Sequence, residues 1–422
     1  VSSIKLNRIS TKVYGEVSIC GSKSISNRIL IIRELSGITH PIKNLSISDD
    51  TQRLQEYLIS IRDYQKTATP VLVDAKNAGT VSRFLTAFLT IKEGSWIITG
   101  NQRMKQRPIK GLVDGLKQLG AEITYTNIAG FLPLFIKGRN ISGGEIEIDV
   151  SESSQFASAI MMIGPLLKEG LKLRFREHPV SFPYIEMTSK LMMEFGANVE
   201  FNKNGINIEP KPYLFRSCKV EADWSSASYW YETAALAEDV EIKIPGLTKN
   251  SMQGDSVLID IFTQLGVETI FDSEGIRLIK TDNVVEKFSF NFESYPDIVP
   301  AVMATCAALG INSDYKNIGH LAFKESNRID ALGQELKKIG TSLKKFNNRY
   351  RLSPNREISD NNLAFNTYGD HRIAMCLAPL VLKYNNIEIC DPNVVNKSYP
   401  EFWDDFKKLK FAVSKITETQ SN

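Results

Sequence analysis

The chain has 422 residues, 42% of them hydrophobic and 23% charged, with a formal net charge of +3. That length allows two or three domains with a substantial core, the composition is that of an ordinary soluble globular protein, and so small a net charge gives no support to a nucleic-acid binder. Five cysteines and four histidines without ligand spacing argue against a disulfide framework or a zinc site; no signal peptide or membrane-length apolar run is legible, so a reducing cytoplasm is the expected compartment.

The extended stretch Val17-Ser18-Ile19-Cys20-Gly21 leads into a helix opened by Lys23-Ser24-Ile25-Ser26-Asn27-Arg28. An amphipathic helix is predicted from Leu54 to Ile61, and the remainder of 52–76 carries little strand signal. Gly79-Thr80-Val81-Ser82-Arg83 opens a second apolar helix. The basic run Arg103-Met104-Lys105-Gln106-Arg107-Pro108 then enters an amphipathic helix, with Pro108 in its first turn. That helix stops at Leu119-Gly120-Ala121, before an alternating strand at 122–126. Ser153-Ser154-Gln155-Phe156 opens a third apolar helix, and Phe195-Gly196-Ala197 closes its amphipathic companion before a strand at 198–201. Ser225-Ser226-Ala227-Ser228 follows the extended Val220-Glu221-Ala222-Asp223. Leu265-Gly266-Val267 marks another helix-to-strand junction, and Pro296-Asp297-Ile298-Val299 opens a fifth apolar helix. Phe323-Lys324-Glu325-Ser326-Asn327-Arg328 leads a helix over 329–339, closed by Ile339-Gly340-Thr341. Gly369-Asp370-His371-Arg372 opens the last apolar run, 373–380.

The six helix starts share a period. Ser24, Thr80, Ser154, Ser226, Asp297 and Asp370 lie 56, 74, 72, 71 and 73 residues apart, and the junction glycines 120, 196, 266 and 340 repeat at 76, 70 and 74. A Ser, Thr or Asp can cap each helix, and glycine suits the left-handed residue after a helix. The period implies one supersecondary unit of apolar helix, strand, amphipathic helix and strand, used six times, with the first copy truncated. Cutting at the two extended stretches gives residues 20–221 as one domain with units one to three. Residues 1–19 plus 222–422 form the other, with units four to six and the first strand. Helix N-termini carry free N–H groups and a positive dipole end, so several of them facing one space would make an anion site.

Basic residues beside those starts fit anions too. Ser24 and Arg28, four apart, share a helix face with Lys23 at its beginning. Glu325 and Arg328 lie one turn apart. Taken singly, each motif reads first as a capped helix with solvated charges or a surface ion pair. No Gly-x-Ser-x-Gly, P-loop or dinucleotide fingerprint occurs.

As an ordered set, the motifs resemble the enolpyruvyl transferases of the 3-phosphoshikimate 1-carboxyvinyltransferase (EPSP synthase) family. They are Lys-Ser-x-Ser-Asn-Arg at 23–28, Asn-Ala-Gly-Thr at 77–80, Arg-Met-Lys-x-Arg-Pro at 103–108 and Ser-Ser-Gln-Phe at 153–156. Pro-Tyr-Ile at 183–185, Ser-Ser-Ala-Ser-Tyr at 225–229, Asn-Ser-Met-Gln-Gly-Asp at 250–255, Pro-Asp at 296–297, Lys-Glu-x-x-Arg at 324–328, Asp-His-Arg at 370–372 and Lys397 complete it. The resemblance implies an α/β fold of two similar domains, each of three βαβαββ units with helices inside (an inside-out α/β barrel), and an active site in an interdomain cleft that closes on substrate. It implies addition–elimination: phosphoenolpyruvate and shikimate 3-phosphate give 5-enolpyruvylshikimate 3-phosphate and phosphate, with no cofactor and no metal.

It further implies roles for particular residues. Lys23, Gly79, Arg107, Gln155, Arg328, Arg372 and Lys397 would hold phosphoenolpyruvate. Lys23, Ser24, Arg28, Ser153, Ser154, Gln155, Ser181, Tyr184, Asp297, His320 and Lys324 would hold shikimate 3-phosphate. Asp297, Glu325 and Lys23 are the acid/base candidates, Asp297 near the hydroxyl and Glu325 near the enol methylene. The expected partners are these small molecules alone, with neither nucleic acid nor membrane, and the expected state is a monomer. Phe84 stands where many members have Pro, Asn327 where Lys-Glu-Thr-Asp-Arg members have Asp, and His320 where Asn is frequent; the segment after Asp50 is short. Phe84 and His320 would reshape the substrate sites, and Asn327 removes a carboxylate beside Arg328. The alternatives are a UDP-N-acetylglucosamine carboxyvinyltransferase and an inactive binding relative of the same fold. Against the first, the chain has Lys23-Ser24 and no cysteine between Cys20 and Cys218.

Overall fold

The structure is a computed structural model, and it describes residues 2–64, 69–177, 179–203, 205–355 and 363–416. Its twelve α-helices among those residues are α1 (Lys23–Ser36), α2 (Asp49–Arg62), α3 (Gly79–Thr90), α4 (Lys110–Gln118), α5 (Ser154–Ile163), α6 (Pro183–Glu194), α7 (Trp224–Leu236), α8 (Leu258–Thr263), α9 (Val299–Leu309), α10 (Arg328–Lys337), α11 (His371–Leu377) and α12 (Phe402–Lys408). Odd-numbered helices are the apolar ones. Every residue of α3, α7 and α11 is buried, because apart from Arg83, Glu232, His371 and Arg372 they carry no charged or imidazole side chain and have no polar face to give to water. α3 packs on α5, and α9 packs on both α7 and α11.

The chain divides into two compact units, Val1–Ser22 with Glu221–Asn422, and Lys23–Val220. The crossings fall within a few residues of Ile19–Cys20 and Glu221–Ala222. Residues 20–22 stay with the first of these units because Ser22 N–H donates to Glu221 O (2.8 Å), Asp223 N–H to Cys20 O (3.2 Å), and Gly21 bridges Ala222.

Five four-stranded sheets share one strand order. In the second repeat, Val71–Asp74 lies parallel to Gly94–Thr99, which is antiparallel to Leu134–Gly138, which is antiparallel to Glu122–Tyr125. With α3 and α4 between its strands, that is a βαβαββ unit, and the third and fifth repeats follow the same plan. The fourth and sixth borrow a strand each from the N-terminus. Lys12–Glu16 lies parallel to Asp239–Pro245, and Ser3–Arg8 sits between Ile387–Cys390 and Phe411–Ile416. The first repeat is reduced to α1, α2 and a two-stranded parallel sheet, Ile42–Lys43 with Cys218–Lys219. A buried hydroxyl chain ties this small unit together. Ser48 Oγ donates to Thr51 Oγ1 (3.0 Å), Thr51 to Asn27 Oδ1 (2.8 Å), and Asn27 Nδ2 to Thr80 Oγ1 (2.9 Å), joining α2, α1 and α3.

Three local readings are corrected. Residues 71–74 do form a strand, too short to show alternation, and it belongs to the second repeat. Pro108 precedes its helix rather than starting it: Ile109 N–H is taken by Gly130 O (2.9 Å), and α4 begins at Lys110. Side-chain caps come from Ser153, Asp223 and Asp370, not from Ser154 and Ser226, whereas α3 and α9 have no side-chain cap bond. The junction glycines 120, 196, 266 and 340 do adopt positive φ (+91°, +91°, +83° and +73°), and Lys410 holds the same place after α12 at +65°.

One core residue breaks the apolar pattern. Glu232 on α7 is fully buried, and neither carboxylate oxygen has a hydrogen-bond partner. Burial pushes its carboxyl well above the ordinary value. The unfolded chain therefore releases this proton at lower pH than the folded chain, and stability falls as pH rises above the ordinary glutamate range. Glu232→Gln is expected to match the unmodified protein in Tm at pH 4 and exceed it at pH 8. A variant no more stable than the unmodified protein at pH 8 would contradict a neutral Glu232.

Candidate active site

Within the unit containing residues 221–422, three helix starts bring their charges together. Arg328 opens α10 and is only 1% exposed. Its Nε donates to Asp370 Oδ2 at 2.9 Å, Nη2 to Glu325 Oε2 at 2.7 Å, and Nη1 to Asp297 Oδ1 at 3.3 Å. Burial alone would lower the guanidinium, but Asp370, Glu325 and Asp297 outweigh it and hold the proton above the ordinary range. Asp297, just before α9, pairs a second time, with Arg372 Nη2 at 2.7 Å. Arg372 follows Asp370, which caps α11 by accepting the Arg372 N–H at 3.0 Å. Asn327 supplies the α10 cap, its side chain accepting from Asp330 N–H at 3.4 Å. Arg328 thus meets three carboxylates without an acid at position 327.

His320 and Lys324 flank this cluster. Burial first, and then Lys324, pull His320 down to about 3 against the opposing effect of Asp297, so its imidazole is neutral at physiological pH. Its Nε2 is buried without a hydrogen-bond partner. Lys397 ends the 3-10 turn Pro392–Lys397 and is half-buried. Asp255 also belongs here. Its Oδ2 accepts from Ser225 Oγ in the first turn of α7, and its Oδ1 is buried without a partner. Burial, followed by Asp297, pushes its carboxyl up to about 7, with the Ser225 bond and Arg372 opposing. The 250–255 segment has a local task as well: Gln253 accepts the Trp224 N–H (3.1 Å) and donates to Ala222 O (2.8 Å), fixing the start of α7.

The unit of residues 23–220 carries the other predicted positions. Lys23, at the start of α1, lies 3.3 Å from Asp50 in the first turn of α2. Arg28 is buried with no carboxylate partner among the described residues. It donates to Thr188 Oγ1 (2.6 Å), Ser24 O (2.9 Å), Ser158 Oγ (3.2 Å) and Tyr184 O (3.3 Å). Phe84 stacks over its guanidinium with the ring centre 5.3 Å away, and burial pulls Arg28 down to about 10. So Phe84, unusual by resemblance, packs on a residue predicted to hold substrate. Ser181 is buried at φ +56°, two residues before α6, and Tyr184 is in the first turn of that helix.

A third group surrounds Gly79 at the start of α3. A Cβ added there would press on Arg83 Nη1 and lie 3.0 and 3.1 Å from Arg107 Nη2 and Nη1. Arg83 donates to Gln155 Oε1 (3.2 Å) and sits over the Phe156 ring at 5.5 Å. Ser153 caps α5 through Gln155 N–H at 3.3 Å, and Ser154 is buried beside it. Two guanidiniums around a helix start with no side-chain cap make an arrangement suited to phosphate or carboxylate.

Sequence reasoning missed Asp50, Asp255 and Asp370 as site residues and noted Arg83 only as a basic neighbour of a helix start. The available signals were the Asp49-Asp50 pair, the end of the 250–255 motif, and the Asp-His-Arg triplet itself. Among the described residues, no group of three or more His, Cys, Asp or Glu could hold a metal ion, and no helix is long and apolar enough to cross a membrane.

A family model for EPSP synthase (3-phosphoshikimate 1-carboxyvinyltransferase) matches residues 7–406. A 3-phosphoshikimate 1-carboxyvinyltransferase of Bacteroides fragilis is 41% identical over 405 residues, covering 96% of this chain and 97% of that one. One of Histophilus somni is 33% identical over 423 residues, covering 94% and 97%. A 2.37 Å structure of EPSP synthase from Acinetobacter baumannii superposes with a TM-score of 0.76 at 20% identity, over 98% of this chain and 100% of that one. At that identity, the likeness speaks for the α/β fold of repeated units.

Proposed function

The chain belongs to the EPSP synthase family, and from that membership we propose that it transfers the enolpyruvyl group of phosphoenolpyruvate to the 5-hydroxyl of shikimate 3-phosphate, releasing phosphate. The observation that carries this reading is the family match over residues 7–406, joined by relatives of that activity at 33–41% identity. The place is the shikimate pathway, toward chorismate and the aromatic amino acids.

The site groups suit the chemistry. Both substrates carry a phosphate and a carboxylate, so each needs fixed cations, and the planar fork of arginine matches both anions. In this reading phosphoenolpyruvate is assigned to Lys23, Gly79, Arg107, Gln155, Arg328, Arg372 and Lys397. Shikimate 3-phosphate is assigned to Lys23, Ser24, Arg28, Ser153, Ser154, Gln155, Ser181, Tyr184, Asp297, His320 and Lys324. Asp297 accepts the hydroxyl proton, and Glu325 supplies one to the enol methylene. The acceptor oxygen bonds to C2, forming a tetrahedral adduct. A proton then leaves the new methyl group, and the C–O bond to phosphate breaks. Fixed guanidiniums stabilise the charge that develops at the carboxylate and phosphate.

Phosphate release from phosphoenolpyruvate tests the reading directly. Release is expected with shikimate 3-phosphate and not with UDP-N-acetylglucosamine; the reverse pattern would reassign the acceptor.

Gly79→Ala makes a sharper prediction. The added methyl meets the far ends of two arginine side chains rather than backbone, so stability should change little. The displaced guanidiniums lose charge-assisted bonds worth about 1.5–3 kcal/mol. KM for phosphoenolpyruvate is therefore expected to rise roughly 10- to 100-fold, with the KM for shikimate 3-phosphate nearly unchanged. Steady-state kinetics with each substrate varied in turn will show whether the two constants separate.

A further inference from the structure

Asp370 caps α11 and receives Arg328, so its placement decides where His371 and Arg372 start their helix. The turn that delivers it is of a demanding kind. Asp370 N–H donates to Thr367 O at 2.8 Å, and the two central residues, Tyr368 and Gly369, have φ of +54° and +66°. Positive φ at both centres is the type I′ pattern. Gly369 adopts it freely, whereas a residue with a Cβ is disfavoured there. Something must hold Tyr368.

The hold comes from a buried carboxylate that no step of the reaction uses. Glu335 on α10 is fully buried. The Tyr368 hydroxyl lies 2.6 Å from its Oε1 and 2.8 Å from Gln334 Oε1, and it donates to the carboxylate as the stronger acceptor. Oε2 accepts the Asn366 N–H at 3.0 Å and the Lys338 ammonium at 2.6 Å. Lys338 also reaches Ala364 O at 2.7 Å. Arg328 and Glu335 are seven residues apart, two turns along one face of α10. The helix therefore grips the segment 366–370 at two points. Arg328, with Ser326 Oγ at 3.0 Å, holds Asp370, and Glu335 holds Asn366 and Tyr368.

We propose that Glu335, acting through the Tyr368 hydroxyl and the Asn366 amide, is a positioning residue: it keeps the Thr367–Asp370 turn left-handed, so that Asp370 meets Arg328 and Arg372 is presented at the start of α11. The kinetic part rests on the assignment of Arg372 to phosphoenolpyruvate.

Tyr368 is partly exposed, so Tyr368→Phe folds whatever its kinetics. It is expected to raise KM for phosphoenolpyruvate about tenfold, as loss of orientation does, while KM for shikimate 3-phosphate stays within about twofold. Tyr368→Gly, which needs no tie to be left-handed, should restore the unmodified constants. Glu335→Gln should behave as Tyr368→Phe does, and adding Tyr368→Gly should rescue it. Amide hydrogen exchange at Asp370 gives a readout independent of activity, faster in Tyr368→Phe and slow in Tyr368→Gly. Unchanged kinetics and exchange in Tyr368→Phe would overturn the proposal, as would a Tyr368→Gly variant as impaired as Tyr368→Phe. If the unmodified protein released no phosphate, the assigned activity would have failed, and exchange at Asp370 would still decide whether Glu335 holds the turn.

Discussion

Arg328→Gln is expected to destabilise the protein by about 3–5 kcal/mol, the cost of removing one partner from a buried ionic cluster, and to abolish measurable phosphate release. Arg328 touches Asp370, Glu325 and Asp297 together. Asp370 is fully buried, so without Arg328 its charge has little access to water. Asp370, Glu325 and Asp297 would then lose the guanidinium they share, and breaking such a buried pairing leaves charge uncompensated. Urea unfolding measures the loss. An Arg328→Gln variant as stable as the unmodified protein would refute the view of Arg328 as the centre of the cluster. The catalytic loss has two sources: an anion contact disappears, and Asp297 and Glu325 lose the group that sets their positions.

Asp297→Asn should act more narrowly. Asp297 is 20% exposed, the most open of the three carboxylates on Arg328, and it also binds Arg372. The amide has the same shape and still accepts through its oxygen, so folding should survive. It cannot take a proton from the acceptor hydroxyl. A positioned general base contributes roughly 10²–10⁴ in rate, and kcat is expected to fall by about that factor, with smaller changes in KM. Glu325→Gln separates the two proton transfers. The tetrahedral adduct carries a methyl group, so forming it in D₂O and reverting should place deuterium in the enol methylene. Glu325→Gln should suppress that exchange; full exchange together with normal turnover would remove Glu325 from the role.

Within this scheme His320 and Asn327 have clear physical consequences. A neutral His320 next to Lys324 adds no further positive charge near Asp297. Asn327 gives α10 its cap and leaves Arg328 with three acids. Phe84 supports the buried face of Arg28. None of the three removes a group that the proposed chemistry needs.

What the sequence determined by itself is local or repeated. The apolar helices begin close to the starts read from the sequence, with side-chain caps on α5, α7 and α11, because capping and periodicity are settled within a few residues. Glycines 120, 196, 266 and 340 mark helix ends because a left-handed residue favours glycine at that spot. Lys410 escaped notice because it takes the same conformation without being glycine. The ordered motifs named the family, since charge type and order along the chain are properties of the sequence.

What only the tertiary structure decided depends on residues far apart. No local pattern pairs Cys218 with Ile42, or sends Ser3–Arg8 between two strands from the other end of the chain. Such pairings are chosen by which exposed edges remain when helices have buried their faces. The same holds for charge. The sequence supplied Asp297, Glu325, Arg328, Asp370 and Arg372 as residue types, each open to a solvated reading. Only the packing of α9, α10 and α11 put one buried guanidinium against three carboxylates, and burial, joined by Lys324 at His320 and by Asp297 at Asp255, moved His320, Asp255 and Glu232 away from their ordinary protonation. Burial and cross-chain distance set these effects, and neither is defined until the chain has folded.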